Sequence, residues 1–453
     1  MKNIDPPNTT RRDFLRTAGA AAAAAPFLLP SGLRAEAPNS NLCHACIGVT
    51  RMGLGDLKTL KAQDPVQIVA LCDVDTEHLE EAARIVPDAR LYTDWRELFE
   101  EEGDRIDSVN ITTPDHMHFP IAMAAVERGK HIYCQKPMCH DIAEVRALTE
   151  AAVGKGIVTQ LGTQHTSQIG DRMTVQLLQD GAIGKVQRVY LCSNRAAPNR
   201  VKGPRPAAGV EPPSHLKWDL WIGTAPMRPF APEIYHPATW RGWLDFGTSW
   251  VADMGPHILD AVWRGLDLKA PKSVTARVEA SWRNSPERMA DNWPQSEHVR
   301  WTFPRGKGIA GKELTVEWFD GEFTPPEEAH QLYLDYCGKE YPQQAALLIG
   351  TKGALLKPLS GGPLLMPRKK FKGYSLPRFP GKNHYQVFVD ACMGGEKSNA
   401  HFAQTGPMME ALLLGTVAIR CFDKELHWDS KAMKIPNNPD AERYLKREYR
   451  DGW

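Results

Sequence analysis

Asp253 and His257 stand four residues apart in the run VADMGPHILDAVW, which spans Val251 to Trp263. Beside the apolar helical stripe of that run, the spacing sends both side chains out of one helix face. A carboxylate next to an imidazole is a proton-handling pair: the imidazole titrates near neutrality, and the carboxylate orients it and stabilises its charged form. On a surface helix the same pair would be only a hydrogen bond. Its meaning therefore depends on what the rest of the chain brings near it.

The elements that would position the pair begin at Ala45. The run ACIGVTRMGLGDL reads as a short buried strand that breaks at Gly48 and opens a helix around Gly53, with Thr50 and Met52 in the turn. Backbone N–H groups at a helix start attract a pyrophosphate, and glycines let the chain come close to it. The next strand, Val66 to Cys72, ends at Asp73, twenty positions after Gly53, where an acidic side chain suits the adenosine ribose hydroxyls. Thr50 occupies the position where a full G-x-G-x-x-G pattern has glycine. Either its hydroxyl hydrogen-bonds the phosphate or its side chain displaces the cofactor; a glycine-containing turn that holds no nucleotide is the bland alternative.

A further apolar strand, SVNITT from Ser108, runs into PDHMHFP, and GKHIYCQKP from Gly129 follows a helix expected over roughly Pro120 to Arg128. Strands alternating with helices at short intervals indicate an α/β fold, a doubly wound parallel sheet whose ligand lies beyond the carboxyl ends of its strands. Thr112, Thr113, Pro114, His116, His118 and Lys136 fall at such ends. His116 and His118 also make an H-x-H pair, but no Cys, Glu or His cluster of complementary spacing follows, so no metal is expected. From Thr163 the pattern changes. A helix from Asp171 to Asp180 and the strand VQRVYLC lead to SVTARVEA, EHVRWTF and ELTVEWF, whose period-two alternation predicts a mostly antiparallel sheet with one buried face.

In the order and spacing of these pieces the chain resembles the Gfo/Idh/MocA family of oxidoreductases, in particular its secreted members. The resemblance runs from about Cys46 to the C-terminus and rests on IGVxxMG, ALCDVD, TTPDHxH, the Lys136-Pro137 pair, WRGWxDFG, DMGxHxxD and the tail REYRDGW. It implies a Rossmann domain over 42–162 and an α+β domain over 163–453, whose large sheet binds substrate and forms the interface of a homo-oligomer, a dimer or tetramer. It also implies NAD or NADP as a tightly bound cofactor, held by Gly48, Thr50, Met52, Gly53, Asp73, Thr112, Thr113, Pro114, His118 and Lys136. Lys136, Asp253 and His257 would be the catalytic group. The family's glutamate before the lysine is Gln135 here, which should alter how Lys136 is oriented and charged. Asp73 favours NAD because a carboxylate repels a 2′-phosphate, whereas Arg51 in the turn favours NADP.

Composition fits an enzyme with two full cores: 453 residues, 42% hydrophobic and 24% charged. A formal charge of +1 gives no general attraction to nucleic acid or anionic membrane. Residues 1–37 read as a twin-arginine signal, TRRDFLR followed by an alanine-rich run, cut after Ala35 or Ala37. That route exports folded proteins, so a periplasmic or secreted protein, soluble after export, with its nucleotide retained is expected. Nine cysteines scattered over apolar strands do not make a disulfide framework.

Trp218, Trp221, Trp240, Trp243 and Trp250 crowd the stretch before Asp253. Tryptophan faces stack on the C–H face of a sugar, and Arg241 and Asp245 could bond its hydroxyls, so His116, Tyr235, Trp240, Arg241, Trp243, Asp253 and His257 are the expected substrate contacts, with His236 a further candidate in the same loop. The leading expectation is an NAD(P)-dependent oxidoreductase acting on a hydroxyl of a sugar, polyol or glycoside. His257 would be its acid–base, Asp253 would orient His257 or bind an adjacent hydroxyl, and Lys136 would contact the reacting oxygen and the cofactor ribose. A glycosidase or lyase working through transient oxidation is the second reading. A non-catalytic sugar-binding protein, motivated by Thr50 and Gln135, is the third.

Overall fold

The structure, a computed structural model, describes residues 41–194, 201 and 203–453; the expected signal over 1–37 lies outside them. Six strands form the first sheet in the order β3 (Arg90–Tyr92), β2 (Val66–Cys72), β1 (Leu42–Ile47), β4 (Ser108–Ile111), β5 (His131–Cys134) and β6 (Thr159–Leu161). Every neighbouring pair is parallel. Helices cover both faces, which is why β4 and β5 are buried along their whole length rather than alternating. The chain leaves β1 to build β2 on one side and returns to build β4 on the other. The crevice beyond the carboxyl ends of β1 and β4 is therefore the place where connections diverge and ligands bind.

Helix α1 (Met52–Lys61) leaves that crevice directly. Gly48 has φ +80°, and a Cβ on it would lie 2.6 Å from the carbonyl oxygen of Thr112. A Cβ on Gly53 would lie 2.0 Å from the carbonyl oxygen of Gly48. Both glycines are thus required by the close approach of β1, its turn and α1. Helix α2 (Thr76–Ala83) starts from Asp75, whose side chain accepts from the Glu77 amide.

The second sheet has eight strands in the order β13 (Leu364–Met366), β12 (Gly353–Pro358), β11 (Gln344–Gly350), β7 (Val186–Ser193), β10 (Glu313–Phe319), β9 (Glu297–Pro304), β8 (Ser273–Val278) and β14 (Leu426–His427). Only β7 and β10 pair in parallel. In β9, Val299, Trp301 and Phe303 point into the core while Arg300 faces out, as the alternation requires. The long helix α3 (Ser249–Leu266), which carries Asp253 and His257, packs with this core.

The last part of the chain serves both halves. Helix α4 (His384–Cys392) inserts Tyr385, Phe388 and Val389 among Leu42, Cys46, Leu57 and Tyr133 of the first unit. Helix α5 (Phe402–Arg420) packs on the helix Ile142–Lys155, where Arg146 and Glu410 pair at 2.6 Å, while Trp301 of β9 donates to its Ala411 carbonyl. No helix among the described residues is long and apolar enough to cross a membrane.

Candidate active site

A cleft of about 280 Å³ opens at the crevice beyond β1 and β4. It is lined by Gly48, Thr50, Arg51 and Met52, by Asp73, and by Thr112, Thr113, Pro114 and Asp115. Gln135, Lys136 and Gln164 come from the ends of β5 and β6, and Trp221, His236, Pro237, Trp240, Arg241 and His257 close it from the second domain. Helix α1 opens there with no side-chain cap and no acidic residue in its first turn, so its positive end is left for an anion. Asp73 accepts the Val49 amide at 2.9 Å through Oδ2 and the Asp75 amide at 3.0 Å through Oδ1. Each oxygen keeps a further lone pair for a ribose hydroxyl.

The catalytic candidates converge in this cleft. Lys136 Nζ donates to Asp253 Oδ1 at 2.8 Å, and Arg241 Nε lies 3.5 Å from the same oxygen while its guanidinium stacks 4.1 Å over Trp240. Burial pushes the Asp253 carboxyl up, but Lys136 and Arg241 together outweigh it and hold the group below the usual carboxylate range. No hydrogen bond joins Asp253 to His257. The expectation that Asp253 orients His257 is therefore corrected: the carboxylate is committed to two cations, and the His257 ring is braced edge-on by His165 at 5.3 Å. His257 Nδ1 is buried and has no hydrogen-bond partner. Burial first, and then the Lys136 charge, hold its pKa well below the ordinary histidine value, so the ring is a neutral base at pH 7.

Gln135 does not face the lysine's partners. Its Nε2 donates to Asp56 Oδ2 at 3.0 Å, and Thr112 and Tyr385 donate to the same carboxylate at 2.7 and 2.6 Å. Burial raises the Asp56 pKa to about 6 against these three donors. Asp253, not residue 135, supplies the negative charge beside Lys136.

Among the expected cofactor contacts, Gly48, Thr50, Met52, Asp73, Thr112, Thr113, Pro114 and Lys136 line the cleft, and Gly53 lies behind it as the packing glycine of α1. His118 does not line it. Its Nδ1 lies 2.7 Å from the Pro137 carbonyl and its Nε2 2.9 Å from the Thr113 carbonyl, so it braces two cleft-lining loops from behind. Among the expected substrate contacts, Trp240, Arg241 and His257 line the cleft, and Asp253 lines a small adjoining pocket with Asp115, Arg241 and Trp250.

Four expected contacts are corrected. His116 is fully buried, with Nε2 3.1 Å from the carbonyls of Trp221 and Ile222. With its neighbour His118 also turned to carbonyls, the H-x-H pair holds no shared metal position. Tyr235 and Trp243 belong to the aromatic core with Trp218 and Phe246, where Trp243 donates to the Ile234 carbonyl at 2.9 Å. Asp245, expected beside Arg241 to bond substrate hydroxyls, is instead paired with Arg228. Trp221, one of the five clustered tryptophans, and His236, the further candidate beside Tyr235, reach the cleft in their place. Asp115 lay inside the TTPDH run without a role. Burial, and then the nearby Asp253 charge, raise its pKa to about 7.

Comparison with known proteins gives this geometry its context. Residues 43–163 match the GFO_IDH_MocA family, described as an oxidoreductase family with an NAD-binding Rossmann fold, and residues 202–306 match the family's C-terminal alpha/beta domain. Levoglucosan dehydrogenase of Pseudarthrobacter phenanthrenivorans is 33% identical over 138 residues, 30% of this chain and 35% of that protein. A glycosyl hydrolase family 109 protein of Stenotrophomonas maltophilia is 37% identical over 136 residues, 28% of this chain and 29% of that protein. The chain thus spans about a third of the length of these curated relatives. Among solved structures, GenD2 from gentamicin A biosynthesis, in complex with NAD, superposes over 89% of this chain and 100% of its own with a TM-score of 0.59 at 18% identity, a likeness of fold.

Proposed function

We propose that this chain, which belongs to the Gfo/Idh/MocA oxidoreductase family, is a nicotinamide-dependent oxidoreductase acting on a hydroxyl of a sugar, polyol or glycoside. The observation that carries the reading is the meeting of Lys136, Asp253 and His257 at the mouth of the nucleotide crevice. The residues present fit the cofactor: the uncapped start of α1 and the side-chain-free cradle of Gly48 and Gly53 suit a pyrophosphate, and Asp73 suits the adenosine ribose. A nicotinamide bound there would supply the hydride acceptor. His257, neutral and lining the cleft, takes the proton of the substrate hydroxyl. Lys136, fixed by Asp253, hydrogen-bonds the reacting oxygen and stabilises negative charge on it. Trp221 and Trp240 offer apolar faces to the sugar ring, and Arg241 offers hydroxyl contacts. Dehydrogenase names among the relatives support this class of substrate.

Redox-assisted glycoside cleavage is a second reading, favoured by the glycosyl hydrolase relative and by Asp115, a carboxyl in the same cleft whose pKa, raised to about 7, leaves it partly protonated near neutral pH and able to serve as an acid for a leaving oxygen. We propose further that the protein is exported folded, with its nucleotide retained, by the twin-arginine route, on the strength of TRRDFLR and the alanine-rich run after it. A homo-oligomer built through the second sheet belongs to the same proposal.

The test is to release and identify the nucleotide from protein made with residues 1–37 intact, then to challenge the protein with free sugars, polyols and glycosides. Net reduction of added NAD supports the dehydrogenase, and bond cleavage without it supports the second reading. Protein that carries no nucleotide and takes up none refutes both.

A further inference from the structure

The turn between β2 and α2 gathers more imidazole than its hydrogen bonds need. Asp75 is almost fully buried at the start of α2, and three histidines surround its carboxylate. His215 Nδ1 lies 2.9 Å from Oδ1, which also accepts the Glu77 amide. His236 Nε2 lies 3.0 Å from Oδ2, and His78 Nδ1 lies 3.6 Å from that same oxygen. The His78 nitrogen is shielded from solvent and has no hydrogen-bond partner, although its ring sits beside an acceptor. The rings of His78 and His236 are 5.4 Å apart and tilted by 47°. One ligand atom from each of Asp75, His78 and His236 lies within 4.8 Å of the other two.

A hydrogen-bond reading accounts for His215 and His236 and leaves His78 unexplained. A cation accounts for all three. Two imidazole nitrogens and one carboxylate oxygen are the donor set of a borderline divalent ion. Oδ1, the oxygen turned away from His78 and His236, is fixed by His215 and the Glu77 amide, which is how metal-binding carboxylates are usually oriented.

We propose that Asp75, His78 and His236 bind one divalent ion of the zinc class, with His215 as the positioning residue of the carboxylate. The site lies beside the reaction centre rather than in it. Asp75 caps the start of α2, His78 lies in its first turn, and His236 belongs to the cleft wall beside Pro237. A bound ion would fasten that wall to the nucleotide domain.

The experiment uses the full chain, stripped with chelator and titrated with Zn²⁺ by calorimetry and with Co²⁺ by absorption. The expected result is one ion per chain, tetrahedral Co²⁺ bands and a rise in Tm on Zn²⁺ addition. His78→Ala should weaken affinity by at least about tenfold and remove the Co²⁺ bands, while its Tm in chelator matches that of the parent, because the hydrogen bonds of His215 and His236 to Asp75 persist. His78→Gln serves if the alanine variant folds poorly. His215→Ala should retain the Co²⁺ bands but bind about 10 to 100 times more weakly. Absence of stoichiometric uptake by the parent protein, or uptake by the His78 variants equal to the parent's, overturns the proposal.

Discussion

Gln135 Nε2 lies 3.0 Å from Asp56 Oδ2, while the next residue, Lys136, reaches in the opposite direction to Asp253. The two neighbours therefore serve separate carboxylates, and residue 135 must be a neutral donor because its partner is a buried acid. Gln135→Glu would put a second carboxylate within hydrogen-bond distance of Asp56. The expected outcome is destabilisation of about 1–3 kcal/mol at pH 8 that shrinks below pH 6, where one of the two acids takes up a proton. Urea melts at the two pH values check it.

Asp253→Asn would leave Lys136 and Arg241 facing each other without their shared anion. Removing one partner of a largely buried ion pair costs about 3 kcal/mol, and the loss should appear in thermal melts. The same variant should lower kcat more than it raises KM, since Lys136 would lose the anchor that aims it. An unchanged kcat would remove Asp253 from the reaction centre.

His257→Ala should reduce turnover by about 10²–10⁴-fold and leave the nucleotide content of the protein unchanged. Nucleotide release and quantification, run beside the activity assay, separates loss of the base from loss of the cofactor.

Asp115 gives the fold a pH dependence. Burial and Asp253 raise its folded pKa to about 7, above the ordinary value of 3.8, so the folded state keeps a proton that the unfolded state releases. Stability contributed in this way is present below about pH 4 and is lost as pH rises toward 7. Asp56 and Asp171, each raised to about 6, act in the same direction. Asp115→Asn should therefore flatten the decline between pH 5 and 7.5 by on the order of 2 kcal/mol. Equal slopes in parent and variant would contradict the assignment.

Gly53→Ala should destabilise the protein by about 1–3 kcal/mol and weaken nucleotide binding, because the new methyl meets the Gly48 carbonyl at 2.0 Å and the turn must open. Gly55→Ala, where the added atom meets nothing within 4 Å, is the matched control.

What could be read from the chain followed from local pattern. Strand β2 appears at the expected residues, and the alternation of β8, β9 and β10 gives a sheet with one buried face, because period and burial are linked directly. Strands β11 and β12 lacked that signal: Ala345 to Leu348 and Ala354 to Leu356 are buried without alternation, so they read as neither strand nor helix. The site divided in the same way. Asp253 and Lys136 were identifiable from spacing and strand ends, whereas the choice of Trp221 and Trp240 over Tyr235 and Trp243 depends on which face of a folded loop looks outward. Asp56 was silent, and the pairing of the candidate His236 with Asp75 went unseen, because the partners lie far along the chain, Tyr385 in one case and Asp75 in the other.

The bond from Tyr385 to Asp56 joins positions 329 residues apart, and Phe388 and Val389 fill the same layer. The nucleotide module is thus closed by a helix that a ribosome delivers near the end of synthesis, and until then Tyr133 and Leu57 lack their cover. A nascent chain halted before α4 would expose an unfinished sheet. The first sheet is consequently fully covered only once α4 has been synthesised.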